Sequence, residues 1–238
     1  MNEGLTPEQL NLVLDLARTR NAIILLYPCR NACCFCINIQ KGPLLGMPNF
    51  FTNLPSKEDL KKIVDSLDFT KNIQVDMCDN FEFPFIYDLL EMLYERQLRA
   101  GSKAKIWILS TFSRFDPLKV NLLKKIETLY VDMALMTFDT KFKNTIMGGG
   151  WAESQTETTK KVIRAAIPDN IAVWYFGDLT RLKQDLDTLA SLLDDEKLSK
   201  IALGLNYPHS TKYSNRQTKE LAEKAVSTLD KAITFFLD

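Results

Sequence analysis

The feature that most constrains this chain is a group of closely spaced cysteines directly after an apolar segment. Cys29, Cys33 and Cys36 are spaced C-x3-C-x2-C, and the apolar run 21–27 precedes them. Cysteines this close together cannot reach disulfide geometry without strain. Their thiolates can instead surround one compact inorganic group, and iron–sulfur cubanes are normally held by four thiolates. Three local thiolates would leave one iron open to a small molecule.

A tetrahedral zinc site is the alternative interpretation. The same three cysteines could bind zinc together with Cys78 or His209. Zinc sites, however, usually come as two pairs of ligands separated in sequence, and no second pair follows here. The spacing therefore favours an iron–sulfur cluster. Cys34 adjoins the second of these cysteines, so we expect it to point elsewhere and to pack.

The two intervals, with the aromatic Phe35 before the last cysteine, resemble the signature of the radical S-adenosylmethionine (SAM) superfamily. The resemblance implies that Cys29, Cys33 and Cys36 hold a 4Fe-4S cluster whose open iron binds the amino and carboxylate groups of SAM. It also implies an electron donor such as a flavodoxin or ferredoxin. One electron would then cleave SAM, and the resulting 5′-deoxyadenosyl radical would take a hydrogen atom from a substrate.

Strand-like and helix-like segments alternate along the chain. The pattern predicts strands at 21–27, 72–78, 104–110, 128–136, 170–176 and 200–205, and helices at 6–19, 56–67, 84–99, 116–127, 154–166, 180–193 and from 214 onward. Strands that alternate with helices pair in parallel. Six units fall short of the eight that close a full barrel. We therefore predict an α/β fold, a partial (β/α)6 TIM-type barrel with an extra N-terminal helix. A doubly wound open sheet is the alternative.

The chain has no visible linker, repeat or low-complexity tract, so we expect one domain over 1–238. No second group of clustered cysteines follows the predicted barrel. In terms of the resemblance, the chain is a minimal radical SAM core without the auxiliary-cluster domain of larger relatives.

Composition narrows the function classes. Thirty basic residues balance thirty acidic ones, so no bulk electrostatic partner such as nucleic acid is indicated. The start of the chain has no secretory pattern, and no apolar run is long enough to span a membrane. Five cysteines without a secretory signal fit a reducing compartment, so we expect a cytoplasmic protein.

Polar residues follow the predicted second and third strands, and ligands bind at the carboxyl ends of strands in parallel barrels. Asp79, Asn80 and Glu82 stand where many radical SAM enzymes carry Gly-Gly-Glu, although both glycines are missing here. The resemblance implies that one of them binds the amino group of SAM through a charge-assisted hydrogen bond. A helix-capping turn is the alternative. The Ser110 hydroxyl could reach the carboxylate of SAM or cap the next turn.

The predicted fourth strand also ends in polar residues. Thr137 and Asp139 are candidate contacts for the ribose of SAM, and the glycines at 148–150 would let a ligand approach closely. A plain flexible loop is the alternative. Aromatic residues at 174–176 in the fifth strand are expected in the core. His209, after the sixth strand, is either surface or on the substrate side.

Cys78 ends the predicted second strand. Alternation places Val75 and Met77 on one face and Asp76 and Cys78 on the other. Because an acid is costly against an apolar helix layer, the second face should point into the barrel lumen. A thiol there could donate a hydrogen atom to a substrate radical. The alternative is a small core residue.

The substrate is not specified by the sequence. A core this short lacks a domain for a leader peptide, so a ribosomally made peptide would need a separate leader-binding partner. A small metabolite in a barrel closed by the segment 41–55 is the second option, and a non-enzymatic iron–sulfur or zinc protein is the third.

Overall fold

The computed structural model describes residues 4–25, 27, 51, 53–77, 79–147 and 151–193, and the backbone of 202–206. Its helices are α1 (Pro7–Arg20), α2 (Lys57–Asp65), α3 (Ile86–Ala100), α4 (Val120–Lys125), α5 (Thr140–Met147), α6 (Ala152–Arg164) and α7 (Leu179–Leu192). Its strands are β1 (Ala22–Ile24), β2 (Ile73–Asp76), β3 (Ile106–Ser110), β4 (Leu129–Leu135), β5 (Asn170–Trp174) and β6 (Ala202–Asn206). Short 3-10 helices cover Asn80–Glu82 and Pro117–Lys119.

The six strands form one sheet in which every neighbouring pair is parallel and the spatial order follows the chain. A doubly wound sheet would reverse its strand order at a switch point. That alternative is therefore excluded for the described strands. Crossovers between parallel strands are right-handed in nearly all proteins, and with this strand order such crossovers put the connecting helices on one side of the sheet. The predicted α/β partial barrel is confirmed.

The two faces of the sheet differ in burial. Ile106 and Ile108 point towards the helices and are 0% and 1% exposed. Trp107 and Leu109 point the other way because side chains alternate along a strand, and they are 47% and 50% exposed. We call this second side the inner face. Asp76 lies on the inner face, as predicted. It shares its side of β2 with the exposed Gln74, whereas Val75 between them is buried.

The first strand begins later than predicted. Asn21 adopts the left-handed conformation that ends α1, with φ of 51°. Its amide nitrogen donates to the carbonyls of Asp68, Lys71 and Asn72, and its amide oxygen accepts from the Asp68 N–H. Asn21 therefore joins α1 to the turn before β2, and β1 starts at Ala22.

Two helices differ from the sequence interpretation. The predicted capping residue Ser154 lies inside α6, which begins at Ala152, and its hydroxyl donates to the Trp151 carbonyl. The segment after β4, interpreted as a loop, contains α5. The helix predicted at 116–127 is divided into a 3-10 turn, capped by Asp116, and the short α4.

Within the described ranges, no helix has the length and apolar character needed to cross a membrane. The single domain over 1–238 stays a prediction. The helix predicted from 214 onward lies outside the described residues.

Candidate functional site

Asp79 connects the carboxyl ends of β2 and β3. Its carboxylate is 4% exposed and caps the 3-10 helix by accepting from the Phe81 N–H at 3.3 Å. It also accepts from the hydroxyls of Ser110, Thr111 and Ser113 and from the Thr111 N–H at 3.1 Å. A carboxylate offers about four lone-pair sites, so these donors occupy all of the hydrogen-bond acceptor sites of Asp79. The capping turn considered above is thus present, and a contact of Asp79 with SAM stays a prediction.

Ser110 forms the turn-capping bonds considered above, and its contact with the carboxylate of SAM stays a prediction. Ser110 is 2% exposed, donates to Asp79 and accepts from the Phe112 N–H at 2.8 Å. Phe112 has φ of 58°, which is unusual for a bulky residue. Its ring is buried against Phe81 at 4.8 Å and Phe115 at 5.5 Å between ring centres. This aromatic packing holds the turn after β3 in place.

Asn80 differs from its neighbour because one of its polar atoms is unused. The residue is fully buried, and its amide nitrogen donates to the Leu109 carbonyl at 2.7 Å. Its Oδ1 atom has no hydrogen-bond partner among the described residues. A buried acceptor without a donor costs about 1–3 kcal/mol. An ammonium group, such as the one in SAM, would supply the missing donor, so this residue fits the implied cofactor.

Glu82 lies on the same side of this turn. Its side chain is 7% exposed, and its Oε1 accepts from the Ser113 hydroxyl at 2.6 Å. Its Oε2 is 4.0 Å from the Nε of Arg114, whose side chain is half exposed. Through Ser113, which also donates to Asp79, the two acids share one hydroxyl.

The exit from β4 forms a second polar cluster. Thr137 is fully buried, and its hydroxyl donates to Asp185 Oδ1 at 3.1 Å and accepts from the Asp139 N–H at 3.1 Å. Asp139 caps α5 by accepting from the N–H groups of Lys141 and Phe142 at 3.0 and 3.1 Å. Hydrogen bonding from Phe142 lowers the pKa of Asp139. The Asp139 side chain is 40% exposed and Thr137 is buried, and the contact of each with the ribose of SAM stays a prediction.

Arg181 on α7 covers this second cluster. Its guanidinium lies 3.6 Å from the centre of the Phe142 ring, with Nε 3.5 Å from Asp139 and Nη2 3.3 Å from Asp178. A cation stacked on an aromatic ring between two acids is held in a fixed orientation.

Two buried charged residues of this cluster were missed from the sequence. Asp185 is 3% exposed and accepts from the Phe138 N–H at 2.7 Å, and burial raises its pKa. Lys143 is 2% exposed and donates to Thr156 at 2.8 Å, and burial lowers its pKa to about 8. A sequence signal existed for Asp185, because it shares one helix stripe with the buried Leu182 and Leu189.

Several predicted site residues lie outside the described residues: Cys29, Cys33, Cys34, Phe35, Cys36, Cys78, the glycines at 148–150, and His209. Their predicted roles stay predictions. Elsewhere, the described side chains contain no group of three His, Cys, Asp or Glu residues that could hold a metal ion. The donor set of the three cysteines is itself suited to an iron–sulfur cluster.

No family model matches the chain, and no curated protein matches it either. The fold does have counterparts. Six parallel strands in chain order, with polar groups at their carboxyl ends, define a partial α/β barrel.

The particular structures that share this fold include three of SuiB from Streptococcus suis. One superposes with a TM-score of 0.56 and 15% identity over 89% of this chain and 46% of SuiB. SuiB bound to S-adenosylmethionine gives 0.52 and 16% over 97% and 52%. SuiB bound to precursor peptide SuiA gives 0.52 and 17% over 94% and 51%. The chain thus spans about half the length of SuiB, and at these identities the likeness establishes the fold.

Proposed function

We propose that this protein is a radical SAM enzyme. The observation that carries the proposal is the C-x3-C-x2-C motif that follows β1 of a sheet with the radical SAM fold. The parallel register pairs Ile24 with Asp76, so β1 and β2 end at the same edge of the sheet. The chain therefore leaves β1 at the edge of the sheet where Asn80 and Glu82 follow β2.

The chain's own residues bind and orient the cofactors in this proposal. Cys29, Cys33 and Cys36 would hold a 4Fe-4S cluster, and Phe35 is a further proposed cofactor-binding residue. Cluster and SAM together, when bound, supply a radical that removes a hydrogen atom from the substrate. Asn80 accepts from the ammonium group of SAM, because its buried Oδ1 lacks a donor. Glu82 adds a negative charge to the same place.

The remaining site residues position these contacts. Asp79 and Ser110 fix the turn that carries Asn80. Asp139 accepts from the ribose hydroxyls, and Arg181 holds its carboxylate in place. The Thr137 hydroxyl is bonded to Asp185 and to the Asp139 N–H, and its contact with the ribose stays a prediction. Thr137 also acts by fixing the Asp139 backbone through this second bond.

A ribosomally made peptide is the proposed substrate, with a separate leader-binding protein and a flavodoxin or ferredoxin as partners. Support comes from the fold shared with SuiB, one structure of which holds a precursor peptide. A small metabolite is the competing substrate class. We further propose one domain over 1–238 and a cytoplasmic location.

One experiment tests the enzyme assignment. The protein is reconstituted with iron and sulfide without oxygen, reduced, and supplied with SAM. We expect 5′-deoxyadenosine from the parent protein and from Cys34→Ala. We expect neither cluster nor product from single alanine variants of Cys29, Cys33 and Cys36. A protein that purifies with one zinc ion and takes up no iron or sulfide would contradict the proposal.

Cys78 is proposed as a hydrogen donor near the radical, without a role as a metal ligand. The expected result is that Cys78→Ala keeps its iron and sulfide and still cleaves SAM, while solvent deuterium no longer enters the product. Normal product from the alanine variant would rule the donor role out and leave Cys78 as a packing residue.

A further inference from the structure

Asp132 is a buried acid on the inner face of the sheet that the proposed chemistry does not use. It lies in the middle of β4, paired with Leu109 on β3 and with Asn170 on β5. The residue is 9% exposed, and its Oδ2 accepts from the Trp107 indole N–H at 2.6 Å. Its Oδ1 has no hydrogen-bond partner among the described residues. A buried carboxylate normally has its acceptor sites filled, so this one lacks a donor.

A row of small residues lies one inner-face position further towards the carboxyl edge. Ala134 on β4 pairs with Ala172 on β5, which pairs with Gly204 on β6. Inner-face positions recur every two residues along a strand, so this row is adjacent to Asp132. Three neighbouring strands thus carry no side chain larger than a methyl group at this level. Ala172 is partly exposed, whereas Ala134 is 8% exposed and packs with the buried Met136, Ile146 and Met147.

The opposite flank of Asp132 is apolar and open. Trp107 and Leu109 are 47% and 50% exposed, although both belong to a central strand of the sheet. Large apolar side chains on the helix side of β3 are at most 1% exposed. The indole is also fixed, since its N–H is bonded to Asp132 and its ring meets Tyr130 edge-on at 6.2 Å. A rigid aromatic surface beside a carboxylate suits a group that is apolar along its length and charged at its end.

The charged side chains near Asp132 make contacts with other residues. The Nζ of Lys105 lies 5.0 Å from the centre of the Tyr130 ring. Asp169, also at this end of the sheet, accepts from the Val131 N–H at 2.7 Å. No ion pair of Asp132 occurs within the described part of the chain. The local charge is therefore complementary to a positive group brought by a ligand.

We infer that Asp132, Trp107 and Leu109 form a subsite for a cationic side chain of the peptide substrate, an ammonium or guanidinium group on an apolar stem. The cation donates to Oδ1 of Asp132, and the stem lies along Trp107 and Leu109. The neighbouring peptide backbone passes over the partly exposed Ala172. The inference rests on the proposed function, because only a substrate inside the barrel meets the inner face.

Binding of small probes to the reconstituted full chain tests this subsite. The probes are N-acetyl-lysine amide and its uncharged analogue N-acetyl-norleucine amide, measured by ligand-observed NMR. We expect the lysine probe to bind, and both the norleucine probe and the Asp132→Asn variant to lose at least about tenfold in affinity. The matched control Asp15→Asn, an exposed acid on α1, should bind as the parent does.

A second variant tests the space rather than the charge. Ala172→Leu places a larger side chain at this partly exposed position and should weaken binding of the lysine probe while Asp132 remains, with folding checked by circular dichroism. Equal binding of the two probes, or full affinity in Asp132→Asn, would overturn the subsite. If SAM is cleaved but no lysine probe binds, the subsite is wrong and the enzyme assignment stands. If the probe binds through Asp132 but SAM is never cleaved, the subsite stands and the enzyme assignment is wrong.

Discussion

Asp79 and Asn80 are adjacent and both buried, yet their polar atoms are used differently. Every lone pair of Asp79 has a donor from its own chain, whereas Oδ1 of Asn80 has none. Hydrogen bonds of charged groups contribute about 1.5–3 kcal/mol each. Removing Asp79 therefore disturbs the turn itself, while removing the free acceptor of Asn80 affects only a ligand.

Variants of the two acids at this turn should separate binding from folding. We expect Glu82→Ala to weaken SAM binding by about 1.5–3 kcal/mol with the cluster intact. Asp79→Ala should weaken SAM binding and also lower the free energy of unfolding, because several hydroxyl and N–H donors lose their acceptor. Equilibrium binding of SAM to the reconstituted protein and urea denaturation measure the two effects. Unchanged SAM affinity in both variants would show that the acids only cap the turn.

Lys143 gives the protein a defined pH dependence. Burial lowers the pKa of Lys143 from 10.5 to about 8. Between these values the unfolded chain binds more protons than the folded chain, so the free energy of unfolding rises with pH. From about pH 8 to pH 10 this rise should be roughly 2–3 kcal/mol. Below pH 8 both states carry the proton and the contribution is flat.

The variant Lys143→Met should abolish that rise. The exposed Lys183→Met serves as the control and should keep it, since the Lys183 side chain is 76% exposed. Denaturation curves between pH 7 and pH 10 provide the measurement. An identical pH profile in the parent and in Lys143→Met would mean that the folded protein ionises this lysine normally.

Residue-level roles were only partly predictable, because the deciding contacts join distant positions. Asp79 and Ser110 were named as site residues from their places after strands, but their mutual bond spans 31 positions. Thr137 and Asp185 are 48 positions apart. The pattern of α7 could reveal that Asp185 faces the core. It could not reveal that the acid would meet Thr137.

At the level of elements, local chemistry was the better guide. The capping box of α1 from Thr6 to Gln9 was predicted and is present. The helix α5 was not predicted, although Asp139 precedes it and a carboxylate before a helical segment is a strong N-cap signal. Ser154 resembled a cap but lies within α6, where Trp151 precedes the first turn without a side-chain cap.

The capping residues of α2 also connect it to the start of α1. Ser56 and Asp59 form a reciprocal capping box, and Asp59 additionally accepts from the Leu5 N–H at 3.1 Å. We expect Ser56→Ala to cost about 1 kcal/mol. Asp59→Ala should cost more, since it removes the bonds to both Ser56 and Leu5. Urea denaturation tests the order, with the exposed Ser191→Ala as a control near zero. Equal costs for the two variants would show that the Leu5 bond contributes nothing.

Across the whole molecule, the sequence could establish that strands alternate with helices, but not which strands are neighbours in the sheet. Both the barrel and the doubly wound sheet alternate strands with helices, and they differ only in which strands are neighbours. That choice depends on pairings such as Ala22 with Gln74 and Asn170 with Ala202, which no local pattern specifies. The sequential order has a functional consequence, because it brings the exits of β1, β2 and β4 to one edge of the sheet.

A ligand at that edge should therefore stabilise the molecule as a whole. In the proposed function SAM contacts the cluster after β1, Asn80 after β2 and Asp139 after β4, so its binding free energy adds to the stability of the folded chain. At a hundredfold excess over Kd the gain is about 2.7 kcal/mol, which corresponds to a rise in Tm of roughly 5–10 °C for a chain of this size. Differential scanning fluorimetry without oxygen measures it. The reconstituted protein should show the rise, and the same protein without iron and sulfide should show little of it. An equal rise in both would mean that SAM binds without the cluster, and no rise in either would contradict a SAM site at this edge.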